Sequence, residues 1–71
     1  MARTYEAEIE WSVAGGPSGS VTLRRGYLTP GAAQKGARRY VREQGILGRV
    51  RRCVREQGVL GRVRICVTEA D

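Results

Sequence analysis

The sequence predicts a small α+β protein in which a β-hairpin is followed by one helix or two and by a C-terminal strand. Three observations carry this prediction: apolar and polar residues alternate over residues 5–13 and again over residues 59–67, and residues 29–31 carry a helix-start signal. We expect the strands to form a small antiparallel sheet with helix packed on one face. A chain of 71 residues is one small domain, residues 1–71, with a thin core.

The first strand and its hairpin follow from the alternation. The apolar set is Tyr5, Ala7, Ile9, Trp11 and Val13, and the residues between them are polar. Residues 15–20 (GGPSGS) predict a loop, after which Val21 and Leu23 resume the pattern. In such a hairpin Arg24 lies on the same side as the glutamates of the first strand, so we expect cross-strand ion pairs.

The helix-start signal is Thr29 as the N-cap residue and Pro30 at the first helical position, where a missing N–H costs nothing. Gly45 is a natural helix terminator, so we predict a helix over residues 30–44. The apolar stripe at helical spacing consists of Ala33, Ala37, Tyr40 and either Val41 or Gln44.

A tandem repeat of 13 residues occupies the second half of the chain. Residues 41–53 (VREQGILGRVRRC) are followed directly by residues 54–66 (VREQGVLGRVRIC), and the copies differ only at positions 46/59 and 52/65. The end of the second copy alternates and predicts a strand whose inner residues are Val59, Val63, Ile65 and Val67.

Residues 46–57 are compatible with a strand or with a helix. A strand places Arg52 on its inner side, whereas a helix places Ile46, Leu47, Val50, Cys53 and Val54 on one stripe. We favour the helix because a buried arginine without a partner is costly, although Gly48 disfavours a helix interior by about 1 kcal/mol.

Thirteen residues are out of phase with both regular structures, since they rotate a helix by roughly 220° beyond whole turns and invert strand parity. The added copy therefore needs a new apolar partner, and we expect a homo-oligomer that could involve an exchanged element.

Charge gives the main functional expectation. The net charge is +6 and the isoelectric point is near 10.4, with the positive charge concentrated after residue 23. This balance predicts binding to DNA or RNA through phosphate contacts, with weak sequence preference. The predicted contact residues are Lys35, Arg38, Arg39, Arg42, Arg49, Arg51, Arg52, Arg55, Arg62 and Arg64.

The sequence is compatible with two other interpretations of its function. One is a protein-binding inhibitor or accessory factor, for instance of a mobile genetic element, whose basic face meets an acidic protein partner. The other is an engineered duplication made to study folding and assembly.

The sequence predicts no enzyme, no cofactor and no metal site. The loop at residues 15–20 lacks a phosphate-loop pattern, the alternating glutamates are typical of a solvated strand face, and the apolar pairs within the two GxxG segments argue against a KH domain. Cys53 and Cys66, without any histidine, cannot complete a zinc site, so we interpret them as reduced thiols. With no apolar run of membrane-spanning length and no apolar leader, we expect a cytoplasmic location.

Overall fold

The structure, a computed structural model, describes residues 3–70. Its elements are β1 (Thr4–Val13), β2 (Ser18–Tyr27), α1 (Pro30–Glu43), α2 (Ile46–Gln57) and β3 (Gly61–Ala70). The sheet order is β2-β1-β3 with both pairings antiparallel, and both helices pack on the sheet. The prediction of an α+β fold is confirmed.

The central strand β1 separates two chemically different faces of the sheet. Ala7, Ile9 and Val13 are buried under the helices, as the alternation predicts, while the intervening glutamates lie on the outer face. On that face Arg24 Nε lies 3.4 Å from Glu6 Oε2, which confirms the expected cross-strand ion pair. The large rings Tyr5, Trp11, Tyr27 and Tyr40 are half-buried against the core.

The hairpin loop is shorter than predicted, because β2 begins at Ser18 rather than after Ser20. Gly19 pairs with Trp11 across the sheet. A Cβ added at Gly19 would lie 2.5 Å from Trp11 Cζ2, so the indole lies directly against a residue without a side chain. Composition alone suggested a loop here, whereas the ring of Trp11 favours glycine within the strand.

Helix α1 begins at Pro30, as predicted, and ends at Glu43, one residue before the predicted end. The Ala32 N–H donates to Thr29 Oγ1 at 3.0 Å, and Pro30 is the first helical residue. Ala33, Ala37 and Val41 are buried against the sheet. Three small or medium side chains on this stripe allow α1 to approach β1 closely.

Residues 46–57 form a helix, as we favoured. Ile46 and Val50 are buried, and α2 lies over the hairpin end of the sheet, where a Cβ added at Gly61 would meet Val50 and Val54. Arg52 is exposed on α2. The chain's own sheet therefore supplies the apolar partner that the added copy requires, so a second subunit is not needed for this purpose. Self-association stays a prediction.

The two copies of the repeat share their first part and differ in their second part. In each copy the pentapeptide VREQG ends a helix, and its glycine is left-handed, with φ of 65° at both Gly45 and Gly58. The residues that follow this pentapeptide adopt different secondary structures: residues 46–53 lie in α2, whereas residues 61–66 lie in β3. The shared segment LGRVR thus lies in a helix in one copy and mostly in a strand in the other.

Candidate nucleic-acid interface

The predicted contact residues on the helices do not point in one direction. One group projects from α1 and α2 toward β3, and the groove between the helices and β3 has a volume of about 470 Å³. The rim of this groove is formed by Arg38, Arg42 and Arg51. We call it the basic groove.

The floor of the basic groove is aliphatic. Val41, Leu47, Val63 and Ile65 line it, and Leu47 keeps 39% of its surface exposed. A second cavity of about 430 Å³ shares Leu47, Arg51 and Val63 with the first, so the groove continues along α2. Its additional residues are Val50, Val54, Arg55, Gly61 and Arg62.

The rim arginines have no acidic partner in the structure. Across residues 3–70 the ion pairs are Arg3 with Glu69, Arg24 with Glu6, and Arg39 with Glu43. Among residues 3–70, no aspartate or glutamate lines the basic groove. Five guanidinium groups on a groove without carboxylates produce a local positive field that attracts an anionic ligand.

Other predicted contact residues lie elsewhere on the helical layer. Arg39 Nε donates to Glu43 Oε1 at 2.8 Å, and Arg49 Nη2 donates to the Gln44 carbonyl at 2.8 Å. Lys35 and Arg52 are exposed on their helices but do not line the basic groove. These four residues can add to the positive field of the helical layer without belonging to the groove.

Arg64 lies on the opposite face of the sheet. It pairs in register with Glu10, and both side chains border a shallow polar depression that also includes Glu8 and Arg62. Arg62, near the start of β3, borders this depression and the basic groove alike. The ten predicted residues therefore do not share one surface.

The outer face carries balanced charge. A hydrogen bond and the negative charge from Glu10 raise the pKa of the Glu8 carboxyl above 4.5, and the positive charge of Arg64 acts in the opposite direction. No group of three or more His, Cys, Asp or Glu side chains within residues 3–70 is placed to hold a metal ion. Cys53 and Cys66 are free and half-buried.

Sequence reasoning missed the groove and the division of the arginines. The division of the arginines could have been predicted from the alternation of β3, since Arg64 is next to the inward Ile65 and therefore lies on the same face as the glutamates. The groove could not be found in this way, because it depends on how α2 is placed beside β3.

Comparison of the chain with protein-family models, with curated proteins and with solved structures gave no match. Neither helix within residues 3–70 has the length and apolar character needed to cross a membrane.

Proposed function

We propose that this protein is a non-enzymatic binding protein that contacts nucleic acid through the basic groove. The observation that supports the proposal is the convergence of Arg38, Arg42 and Arg51 on a groove without carboxylates. Planar guanidinium groups make bidentate hydrogen bonds to phosphate, and a phosphate backbone supplies several such contacts in a row. Arg55 and Arg62 extend the same line of positive charge.

Binding of this kind depends on salt and only weakly on base sequence. Within residues 3–70, no aromatic side chain that could stack on a base lines the groove. We expect phosphate contacts to provide most of the affinity, so the affinity should fall steeply as the salt concentration rises.

The test compares two triple variants that remove the same charge. Arg38→Gln, Arg42→Gln and Arg51→Gln remove the rim of the groove, whereas Arg24→Gln, Arg25→Gln and Arg64→Gln remove three arginines elsewhere. Binding to labelled duplex and single-stranded DNA and RNA is measured over a salt series. We expect the rim variant to reduce the slope of log affinity against log salt by roughly 0.9 per lost duplex contact, or about 2.7 in total.

The matched variant should keep most of the wild-type slope. Equal losses in the two variants would show that only net charge matters and would reject the groove as the contact surface. Absence of binding at low salt in every nucleic acid would reject the function itself.

The aliphatic floor of the groove favours a second candidate, an acidic protein partner. Leu47, Val63 and Ile65 offer apolar surface that a phosphate backbone does not use, whereas a polypeptide can cover it with its own side chains.

A further inference from the structure

Among the residues that the structure describes, no strand lies beside the outer edge of β3. Within residues 3–70, β3 pairs only with β1, through ten consecutive residue pairs without a bulge. Alternate N–H and C=O groups of this strand are therefore directed away from the sheet. A long, regular edge of this kind can accept an additional strand. The other edge strand, β2, has an irregular register opposite Tyr5 and Ala7.

The side chains of β3 specify what such a strand should contain. A strand offers the same two rows of side chains to neighbours on either side. On the edge shared with β1, the inner Ile65 lies opposite Ile9 and the outer Arg64 lies opposite Glu10. β1 is thus one example of a sequence that β3 already binds, with apolar residues alternating with acidic ones.

At its free edge, beside the basic groove, β3 presents the same inner and outer rows of side chains. An added strand would place its inner side chains near Val63 and Ile65, which are half-buried, and next to the exposed part of Leu47. Its outer side chains would lie near Arg62 and Arg64. Apolar inner residues and acidic outer residues satisfy both rows, and further acidic residues can reach the rim of the groove.

A second copy of the chain fits this edge less well. Two β3 strands paired antiparallel around Val63 would place Arg62 of each copy opposite Arg64 of the other, and like charges directly opposite each other are destabilising. The rims of the two grooves would also approach each other in a molecule that carries a net charge of +6. Charge complementarity therefore favours an acidic segment over self-pairing.

We propose that the free edge of β3 and the basic groove bind an extended peptide segment, in which aliphatic and acidic residues alternate, as a fourth strand of the sheet. The proposal rests on the second candidate function, an acidic protein partner, and holds whether or not the groove also binds nucleic acid. Backbone hydrogen bonds would provide the pairing, and the two rows of β3 side chains would select the sequence.

The experiment titrates the full chain, labelled with ¹⁵N, with a synthetic peptide in which glutamate alternates with valine and isoleucine. Hydrogen exchange of the β3 amides is measured with and without the peptide. We expect slower exchange at alternate residues of β3, those whose N–H groups face the free edge. Replacing every glutamate of the peptide by glutamine should weaken binding at least tenfold, as should a peptide of the same composition without the alternation.

Two protein variants locate the contact. Arg62→Gln with Arg64→Gln should weaken peptide binding severalfold, and Arg24→Gln with Arg25→Gln, on the opposite edge strand, should leave it unchanged. Equal binding of the alternating and non-alternating peptides would overturn the proposal, as would unchanged β3 exchange at saturating peptide. So would edge amides whose protection in the free protein increases with concentration, since a second copy would then occupy the edge.

A parallel titration with duplex DNA separates this proposal from nucleic-acid binding. Phosphate contacts to the arginines should shift the signals of the helices without the protection at alternate β3 amides that an added strand would produce. DNA binding without peptide binding rejects the added strand alone, and peptide binding without DNA binding rejects the nucleic-acid function alone.

Discussion

Ile65 lies directly opposite Ile9 in the sheet, whereas Arg52, which holds the same position in the other copy of the repeat, is exposed on α2. Ile9 is completely buried. The position opposite it therefore accepts an aliphatic side chain and disfavours a guanidinium group, which would lose hydration there. Since the copies differ at only one other position, we infer that this pair of residues contributes to which copy becomes the strand.

An exchange of these two residues tests that conclusion. Ile65→Arg alone should destabilise the fold by about 2 kcal/mol or more, because it removes apolar contacts and places a charge beside the core. In the double variant Arg52→Ile/Ile65→Arg, we expect the first copy to replace the second beside β1. Circular dichroism should then show less helix than in the wild type, and limited proteolysis should release the C-terminal residues.

Arg52→Ile alone is the control for this exchange, since position 52 is exposed and should change stability by no more than about 0.5 kcal/mol. If the double variant is no more stable than Ile65→Arg, the first copy cannot form the strand.

Tyr27 and Gly36 form a second testable contact. The Tyr27 ring lies against Gly36 in α1, and its hydroxyl is buried without a hydrogen-bond partner among the described residues. Removing an unsatisfied buried hydroxyl while keeping the ring should be neutral or stabilising, by up to about 1 kcal/mol for Tyr27→Phe. Gly36→Ala should destabilise the protein, because the added methyl would overlap the ring. Urea unfolding of both variants checks the pair; a clear loss of stability in Tyr27→Phe would mean that the hydroxyl has a partner.

Alanine substitutions of two glycines, one inside α2 and one just before it, should change the stability of the protein in opposite directions. Gly48 lies inside the helix with open space around a Cβ, so Gly48→Ala should stabilise the protein by about 1 kcal/mol. Gly45 has φ of 65°, where a side chain costs about 1–2 kcal/mol, so Gly45→Ala should destabilise it. Thermal unfolding followed by circular dichroism measures both, and equal signs for the two variants would contradict the assigned helix boundary.

The Glu8 carboxyl should introduce a pH dependence of stability. Its pKa in the folded protein is raised above 4.5 by Glu10, so the folded state binds this proton more tightly than the unfolded state. Stability from this group is present below the unfolded pKa and is lost as the pH rises through the folded pKa. We expect Glu8→Gln to remove that loss, which thermal unfolding over a pH series can measure. Thr22→Ala, across the strand pair, serves as a control that leaves both carboxylates in place.

Local patterns in the sequence were sufficient for most of the fold. The alternation around Ile9, the Thr29 cap and the Gly45 terminator each determine their element through neighbouring residues. Residues 18–20 were wrongly predicted to be loop, because the ring that favours Gly19 is that of Trp11 on another strand. The site was harder to predict from the sequence. The arginines could be identified, but their division between two faces depends on how the strands pair, and the groove depends on tertiary packing.

The pentapeptide that ends both helices has a consequence for chain length. The repeat unit starts inside the last turn of one helix and carries its own terminating glycine, so each copy completes the preceding helix; the first copy then starts α2, and the second starts β3. Such a unit behaves as a cassette whose starting point lies within a helix and not between elements. We expect a chain with a third unit to gain another helix of α2 type, while the sheet and its final strand keep their sequence.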